Sequence, residues 1–509
     1  MEPFSWWNDK QKNLMAEAKA FADKNSPKAE EVFWTKKFPL ELLRQVASKG
    51  WFGAVIPEEY GGMNVGVTGT AIVAEELSRV GSALGEAYSV SMFGGAEQLL
   101  TFGTDLQKRK WLPKISQGEA IGAVCITEPF VGSDAAGIET TAKREGENYV
   151  VNGKKRFITN AGLADIHVVY AKTSERAEDK SKYQHLTAFL VEKGTRGFSV
   201  EKINELSGWF GLPNGFLDFN EVKVPAANII GKEGEGWKVM MAGLNFERVV
   251  YSAGMLGPIR ESIRYASAYA QRRMQFGKPT IDIPTNQFKI ADMLAGLYTS
   301  RLLVYHAAHL LDEHKDAMVE AATAKLFTSE MYENLISSAI QVMGGDGWTR
   351  FYPVESYLRD AKVNQIGAGT NDIMKLVIFR GGLKAMGKDL KMPYRRVHEK
   401  LRIPISTTEP LKKLKASEDN LLKTLAEDYQ VNPGLFMSRE DLKERLTEVN
   451  DGELDQLLKS LEEKSMIKLY RDGRGTIALV KATYMGLRKA GPLENYKWYP
   501  EWLNKEFIF

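Results

Sequence analysis

Two adjacent charges, Glu247 and Arg248, stand in a run whose apolar residues recur at helical spacing. Trp237, Met240, Met241, Leu244, Tyr251 and Met255 form one stripe; Arg248 falls within it and Glu247 at its edge. Charges in such a place demand partners or a polar ligand, because an unpaired buried charge is costly. Two readings stay open on pattern alone: a structural ion pair inside a bundle, or a carboxylate kept for proton transfer. Other segments carry groups suited to binding. Cys125-Ile126-Thr127-Glu128-Pro129-Phe130-Val131-Gly132-Ser133-Asp134 offers hydroxyls and turn amides. These can hydrogen-bond a planar ring edge or a phosphate, or can make an ordinary Gly-Ser-Asp turn. Arg273, within Arg273-Met274-Gln275-Phe276-Gly277-Lys278, has the planar fork that grips phosphate oxygens. The glycines of Gln341-Val342-Met343-Gly344-Gly345-Asp346-Gly347 allow backbone to approach a ligand closely.

Four changes of pattern divide the chain that must position these groups. Residues 1–120 read as an all-α domain; Phe38-Pro39-Leu40-Glu41-Leu42-Leu43 opens one helix with proline early, and Glu75 to Val80 lies in another. Residues 121–232 read as a middle β domain, β-barrel-like. There Asn148-Tyr149-Val150-Val151 and Lys154 to Thr159 predict a hairpin turning at Asn152-Gly153. Strand-like runs follow at Asp165–Thr173, His185–Glu192 and Gly215–Pro225. Residues 233–385 are helical again, a four-helix bundle. Residues 386–416 read as a basic linker interrupted by Pro393, Pro404 and Pro410. The whole is an α+β multidomain fold.

The ordered set of motifs resembles the acyl-CoA dehydrogenase family. The Thr127-Glu128-Pro129…Gly132-Ser133-Asp134 segment is similar to one of its signatures. So are Phe157-Ile158-Thr159-Asn160, the Arg273–Lys278 run, Gln341–Gly347, Arg359-Asp360-Ala361-Lys362 and Ile366-Gly367-Ala368-Gly369-Thr370. The resemblance covers residues 1–385 and implies FAD as cofactor. On it, Cys125, Thr127, Gly132, Ser133, Phe157, Ile158, Thr159, Arg273, Phe276, Gln341, Gly344, Gly345, Thr370, Asn371 and Asp372 are expected at the cofactor. The Gln341–Gly345 element is expected to reach it across a subunit interface, in a homotetramer or homodimer. Ser133, Asn245, Arg248, Ala368 and Gly369 are expected at the substrate, an acyl-CoA thioester.

The reaction so implied removes a proton at the α carbon and a hydride at the β carbon. Most relatives carry the base just before Gly-Thr, where this chain has Ala368. An isovaleryl-CoA dehydrogenase-like branch carries it on a bundle helix, in a motif that resembles Leu244-Asn245-Phe246-Glu247-Arg248-Val249. The loss at one place and the gain at the other point to Glu247 as base, with the Ala368 amide at the thioester carbonyl. Desolvation should raise the pKa of that carboxyl. Some positions depart from the pattern: Phe130-Val131 replaces small residues, Pro284 a glutamine and Phe157 a tryptophan, and Lys238 stands where isovaleryl-CoA dehydrogenase has tyrosine. The acyl group is therefore left open among branched, cyclic, aromatic and medium-length chains.

Bulk properties exclude little. The 509 residues carry a formal charge of +3, which gives no field directed at nucleic acid or membrane. One cysteine excludes an internal disulfide and fits a reducing, cytoplasmic setting. No signal-peptide core precedes Asn13 and no apolar run has membrane-spanning length. His306, His309 and His314 on one helical segment read as bundle residues, not metal ligands. Residues 417–509 predict three helices and a hairpin turning at Asp472-Gly473-Arg474-Gly475, an arrangement resembling a winged helix. Its third helix carries Asp451, Glu453, Asp455, Glu462 and Glu463 against Lys459 and Lys464, which would repel phosphate and favours a protein contact over DNA. The expected electron acceptor is an electron-transferring flavoprotein. The alternatives are a flavin-binding, nucleic-acid-associated relative and an oxidase or decarboxylating enzyme.

Overall fold

The computed structural model of the protein describes residues 2–387, 413–431, 435–447, 449–473 and 475–491. These fall into two compact units, residues 1–385 and 386–509. Most of the expected basic linker, residues 388–412, lies outside the described residues.

Seven helices open the first unit: α1 (Asp9–Asn25), α2 (Lys28–Thr35), α3 (Leu40–Ser48), α4 (Gly66–Val80), α5 (Ser82–Ser91), α6 (Gln98–Phe102) and α7 (Asp105–Ser116). Polar side chains start two of them. Asn8 and Gln11 close a reciprocal capping box on α1, and Thr104 and Gln107 do the same on α7. The start of α4 is capped from far along the chain: Asp312 accepts from the Val67 and Thr68 amides at 2.5 and 3.2 Å. Every residue of α4 from Val67 to Val80 is buried.

Eight strands follow: β1 (Gly122–Cys125), β2 (Thr141–Glu145), β3 (Asn148–Thr159), β4 (Ile166–Lys172), β5 (Leu186–Glu192), β6 (Phe198–Ile203), β7 (Asn214–Pro225) and β8 (Ile229–Ile230). They make one sheet in the order β6-β7-β3-β2-β4-β5-β8, with β1 parallel to β4; a short helix, α8 (Ala177–Ser181), lies between β4 and β5. The expected hairpin at Asn152-Gly153 is not one. β3 runs unbroken through those residues, paired with β2 on one side and β7 on the other. Its register with β7 slips between Val151 and Gly153, and Gly153 takes φ +153° beside Thr140, whose Oγ1 would lie 2.4 Å from an added Cβ. The Asn-Gly pair therefore makes a bulge within a strand. The turn between β2 and β3 falls earlier, at Gly146-Glu147.

The bundle consists of α9 (Gly236–Arg272), α10 (Pro284–Asp312) and α11 (Met318–Met343), followed by α12 (Val354–Asn364) and α13 (Asn371–Met386); the short strands β9 (Met274–Gln275) and β10 (Lys278–Pro279) join α9 to α10. Pro284 opens α10, where its missing donor costs nothing. α10 ends at Asp312, so His306 and His309 share a helix while His314 lies beyond it at φ +55°. α9 packs on α4, α10 and α11. It packs tightly on α4 at Gly257, where an added Cβ would lie 2.5 Å from the Glu75 carbonyl oxygen.

A buried charge network ties these helices together. Arg79 of α4 pairs with Glu76, with Glu261 of α9 and with Asp23 of α1, each at 2.7 Å. Glu75 of α4 pairs with Arg301 of α10 at 3.2 Å and accepts from the Tyr305 hydroxyl at 2.7 Å. Arg260 of α9 reaches Glu76 at 2.5 Å. Burial works to raise the Glu75 pKa, but Arg301 and Arg260 outweigh it and hold the carboxyl below its ordinary value.

The second unit opens with β11 (Leu414–Lys415) and α14 (Glu418–Val431), followed by β12 (Met437–Ser438), α15 (Arg439–Glu444), β13 (Leu446–Thr447), α16 (Asp451–Glu463), β14 (Ile467–Arg471), β15 (Ile477–Ala482) and α17 (Tyr484–Ala490). Leu421, Leu425, Leu442, Leu454, Leu458, Leu461 and Val480 share its core. Leu446 lies in β13, which pairs with β11. The acidic side chains of α16 are partly engaged within the unit: Asp451 and Asp455 meet Arg439, and Glu462 meets Arg471.

The network makes a testable demand. Removing one partner of a buried pair leaves the others uncompensated, so Glu75→Ala is expected to lower the unfolding free energy by about 3–5 kcal/mol in chemical denaturation at pH 7. Because the folded pKa of Glu75 is depressed, its stabilisation is complete above the unfolded value of about 4 and fades as pH falls through the folded value. The gap between wild type and variant should accordingly narrow in acid.

Candidate active site

Glu247 and Arg248 lie near the middle of the long helix α9, and the side chains leave it toward different partners. Arg248 is buried; it donates through Nη1 to Asn245 Oδ1 at 3.3 Å and through Nε to the Ala368 carbonyl at 3.5 Å. Glu247 pairs with none of the described residues, and its Oε2 is closed off from solvent without a hydrogen-bond partner. The structural ion pair is thus not formed. Burial pushes the Glu247 carboxyl up to about 7, a rise that Arg248 and Lys325 offset in part.

The turn between α12 and α13 carries Ala368 and Gly369 in succession at φ +53° and +87°. Such a conformation costs free energy for alanine and persists where its surroundings hold it. Three neighbours hold this one. Arg248 meets the Ala368 carbonyl, and Lys325 Nζ of α11 donates to the Gly369 carbonyl at 2.8 Å and to Asn371 Oδ1 at 2.9 Å. One turn further along α11, Ser329 Oγ donates to the same Asn371 oxygen at 3.1 Å. Tyr251, one turn past Glu247, donates to the Val363 carbonyl or Asn364 Oδ1 at the end of α12, both at 3.2 Å. Asn245, Glu247, Arg248, Ala368, Gly369 and Asn371 are therefore brought together. Thr370, whose Oγ1 accepts from the Ile373 amide at 3.3 Å, and Asp372 continue the same turn.

A second group gathers at the ends of β1 and β3. The Arg156 amide donates to the Thr127 carbonyl at 2.8 Å, joining the two segments side by side. Phe157 takes φ +59° and leaves its ring half exposed, with the Arg156 guanidinium 4.4 Å from the ring centroid. Asn214 Nδ2 of β7 donates to the Phe157 carbonyl at 3.0 Å and Thr159 Oγ1 at 3.2 Å. Ile158 is buried, while Gly132 and Ser133 are exposed on the loop after β1. Cys125 is fully buried as a free thiol pushed up to about 12 by desolvation; contact with a ligand there can come only from backbone.

Arg273, Phe276, Gln341, Gly344 and Gly345 stand apart from both groups on exposed surface. The Tyr269 hydroxyl links the two segments they occupy by donating to Asp346 at 2.6 Å. Phe130 and Lys238 are exposed as well, Lys238 paired with Glu235 at 3.4 Å.

The pattern of the sequence did not disclose several residues that shape the site. Glu86 of α5 is raised to about 8 by burial and by Glu247. Lys155 of β3 is buried and donates to Glu128 at 2.8 Å and to the Ile126 and Tyr170 carbonyls, while Glu128 accepts from the Glu139 and Thr140 amides. This clasp holds the loop that carries Thr127 and Ser133. Lys325 sits in an alanine-rich stretch of α11, and that setting, a lone lysine on an apolar helix, was its one visible sign. Among the described residues no helix is long and apolar enough to cross a membrane.

Comparisons with known proteins give this geometry a family. The acyl-CoA dehydrogenase N-terminal, middle and C-terminal domain models match residues 8–119, 123–222 and 234–383. An acyl-CoA dehydrogenase of Bacillus subtilis (strain 168) is 40% identical over 355 residues, 70% of this chain and 93% of that protein. A mitochondrial isovaleryl-CoA dehydrogenase of Pongo abelii is 37% identical over 365 residues, 71% of this chain and 86% of that protein. The solved FAD complex of PigA superposes with a TM-score of 0.71 at 30% identity, covering 75% of this chain and 100% of that one. With three domains matched in order, and relatives of this identity aligned along most of their own length, the chain belongs to the acyl-CoA dehydrogenase family of FAD-dependent oxidoreductases.

Proposed function

We propose that Glu247 is the catalytic base of this dehydrogenase and removes the α proton of an acyl-CoA thioester. The observation that carries the reading is a carboxyl on a bundle helix, sealed at one oxygen, without a partner among the described residues, and poised near neutrality. A base that titrates near the working pH is available in its charged form and still accepts a proton readily. At Ala368, where most of the family places its base, there is a methyl group instead. The Ala368 amide serves as donor to the thioester carbonyl, whose oxygen gains charge as the proton leaves. Arg248, Lys325 and Ser329 keep that turn in a conformation alanine would otherwise leave.

The residues suit FAD. The half-exposed Phe157 ring offers a flat apolar wall, Thr127 and Thr159 stand beside it, and Gly132-Ser133 presents a hydroxyl and turn amides. When bound, FAD supplies the acceptor for the β hydride. The exposure of Arg273, Phe276, Gln341, Gly344 and Gly345 away from the two groups fits a cofactor site completed by a second copy of the chain, in a homotetramer or homodimer. The electrons pass to an electron-transferring flavoprotein. The acyl group belongs to the branched, cyclic, aromatic or medium-length class, and its reduction of the protein identifies it.

One variant tests the base in two ways. Without oxygen, the FAD-loaded protein is titrated with butyryl-, isovaleryl- and octanoyl-CoA and bleaching of the yellow colour is followed. Glu247→Gln should keep the flavin spectrum but lower the bleaching rate at least about a thousandfold; retained turnover would exclude Glu247. The same change should stabilise the fold. The Glu247 carboxyl is raised on folding, so ionisation opposes folding increasingly from about pH 4, where the unfolded group titrates, up to its folded value. Glu247→Gln is therefore expected to gain about 2–3 kcal/mol at pH 8 and much less at pH 5, read by denaturation at both.

A further inference from the structure

We infer that Lys325 is a positioning residue of the proton-transfer site, a buried ammonium that pins the Ala368-Gly369 turn and steadies the negative charge of Glu247. The inference rests on Glu247 being the base. Lys325 is 0% exposed and rises from α11 to the inside of the turn. It spends two of its three donors on the Gly369 carbonyl and Asn371 Oδ1. Arg248 holds the neighbouring carbonyl, that of Ala368. Two successive peptide planes of the turn are thus each tied to a cation, one from α9 and one from α11. The Ala368 amide lies in the peptide plane just before these two and is joined to them through only the two Ala368 torsions, so fixing them limits its direction.

Ordinary structural lysines occupy surfaces, and a fully buried one is rare unless paired. Among the described residues Lys325 pairs with no carboxylate by contact; its hydrogen bonds go to a carbonyl and an amide oxygen, and the carboxylate whose charge reaches it is Glu247. The groups facing Glu247 are Arg248 and Tyr251 on its own helix, Glu86 from α5, Tyr170 from β4 and Lys325 from α11. Of these only Arg248 and Lys325 are cations. Burial and, after it, Arg248 draw the ammonium down to about 7, close to the range of Glu247 itself. The same nitrogen therefore acts on both halves of the reaction: on the turn whose amide meets the thioester oxygen, and on the carboxylate that takes the proton.

The full-length, FAD-loaded protein tests this with whichever of butyryl-, isovaleryl- and octanoyl-CoA reduces it fastest. Lys325→Met is expected to lower kcat about tenfold or more while KM changes less than about threefold. Loss of a nearby cation raises a carboxyl, so the acidic limb of kcat/KM should move up by about half a pH unit or more. Lys325→Arg keeps the charge and should return the limb toward the wild-type position. If Lys325→Met gives no folded protein, Lys325→Gln, which keeps a donor without charge, reads the limb instead. A variant lacking the charge with kcat and limb unchanged, and only its melting temperature lowered, overturns the proposal. Glu247→Gln separates the two readings: its retained activity would remove the base, whereas an inactive Glu247→Gln beside unaffected Lys325 variants would remove only the role of Lys325.

Discussion

A partly buried carboxylate, with one oxygen closed off from water and without a hydrogen-bond partner among the described residues, is the constraint around which this site is arranged. Left alone, Glu247 would simply hold its proton. Arg248 and Lys325 keep its pKa from rising further, and neither touches it; both spend their hydrogen bonds on the Ala368-Gly369 turn. A direct ion pair would lower the carboxyl further and block its approach to a substrate. Cations held at one remove give charge balance while the oxygen stays free. That arrangement depends on α9 and α11 lying side by side, and α9 and α10 are in turn fixed against α4 by a buried network of acids and arginines.

The two charge systems on α9 behave oppositely for a physical reason. At Glu75, Glu76, Arg79, Arg260 and Glu261 the charges meet in pairs at short distance, and Glu75 stays ionised although fully enclosed. At Glu247 the distances are longer and the carboxyl rises. The first arrangement holds the native helix packing and makes loss of any one partner costly; the second costs stability where chemistry requires a free oxygen.

Much of this was visible before any coordinates. The apolar stripe of α9 placed Arg248 inside and Glu247 at its edge because a helix face repeats every few residues, while β4 and β5, buried along nearly their whole length, showed as short strand-like runs. The ordered motifs identified the family through residues that lie in contact: Thr127 beside Arg156 and Phe157, Arg248 beside Ala368. What was hidden depends on distant partners. Asn152-Gly153 has the residues of a tight turn, and only pairing of the same strand with both β2 and β7 makes it a bulge. Lys325 reads as one lysine among alanines, since the atoms it holds lie 44 and 46 residues away. Asp312 caps a helix that begins 246 positions before it in the chain, and nothing local to either end announces it. The mixed β11–β13 and β12–β15 pairs of the second unit involve two residues a side, too few to show a period.

The single thiol of the chain has a use that its chemistry in the folded state conceals. Cys125 lies at the end of β1 with no exposure to solvent, and desolvation pushes its thiol well above the usual range. A thiol so placed reacts with an alkylating reagent only when β1 opens away from its place beside β4. Its labelling rate is then a clock for opening at the wall beside Thr127, read from one atom, with no second sulfhydryl in the chain to confuse the signal.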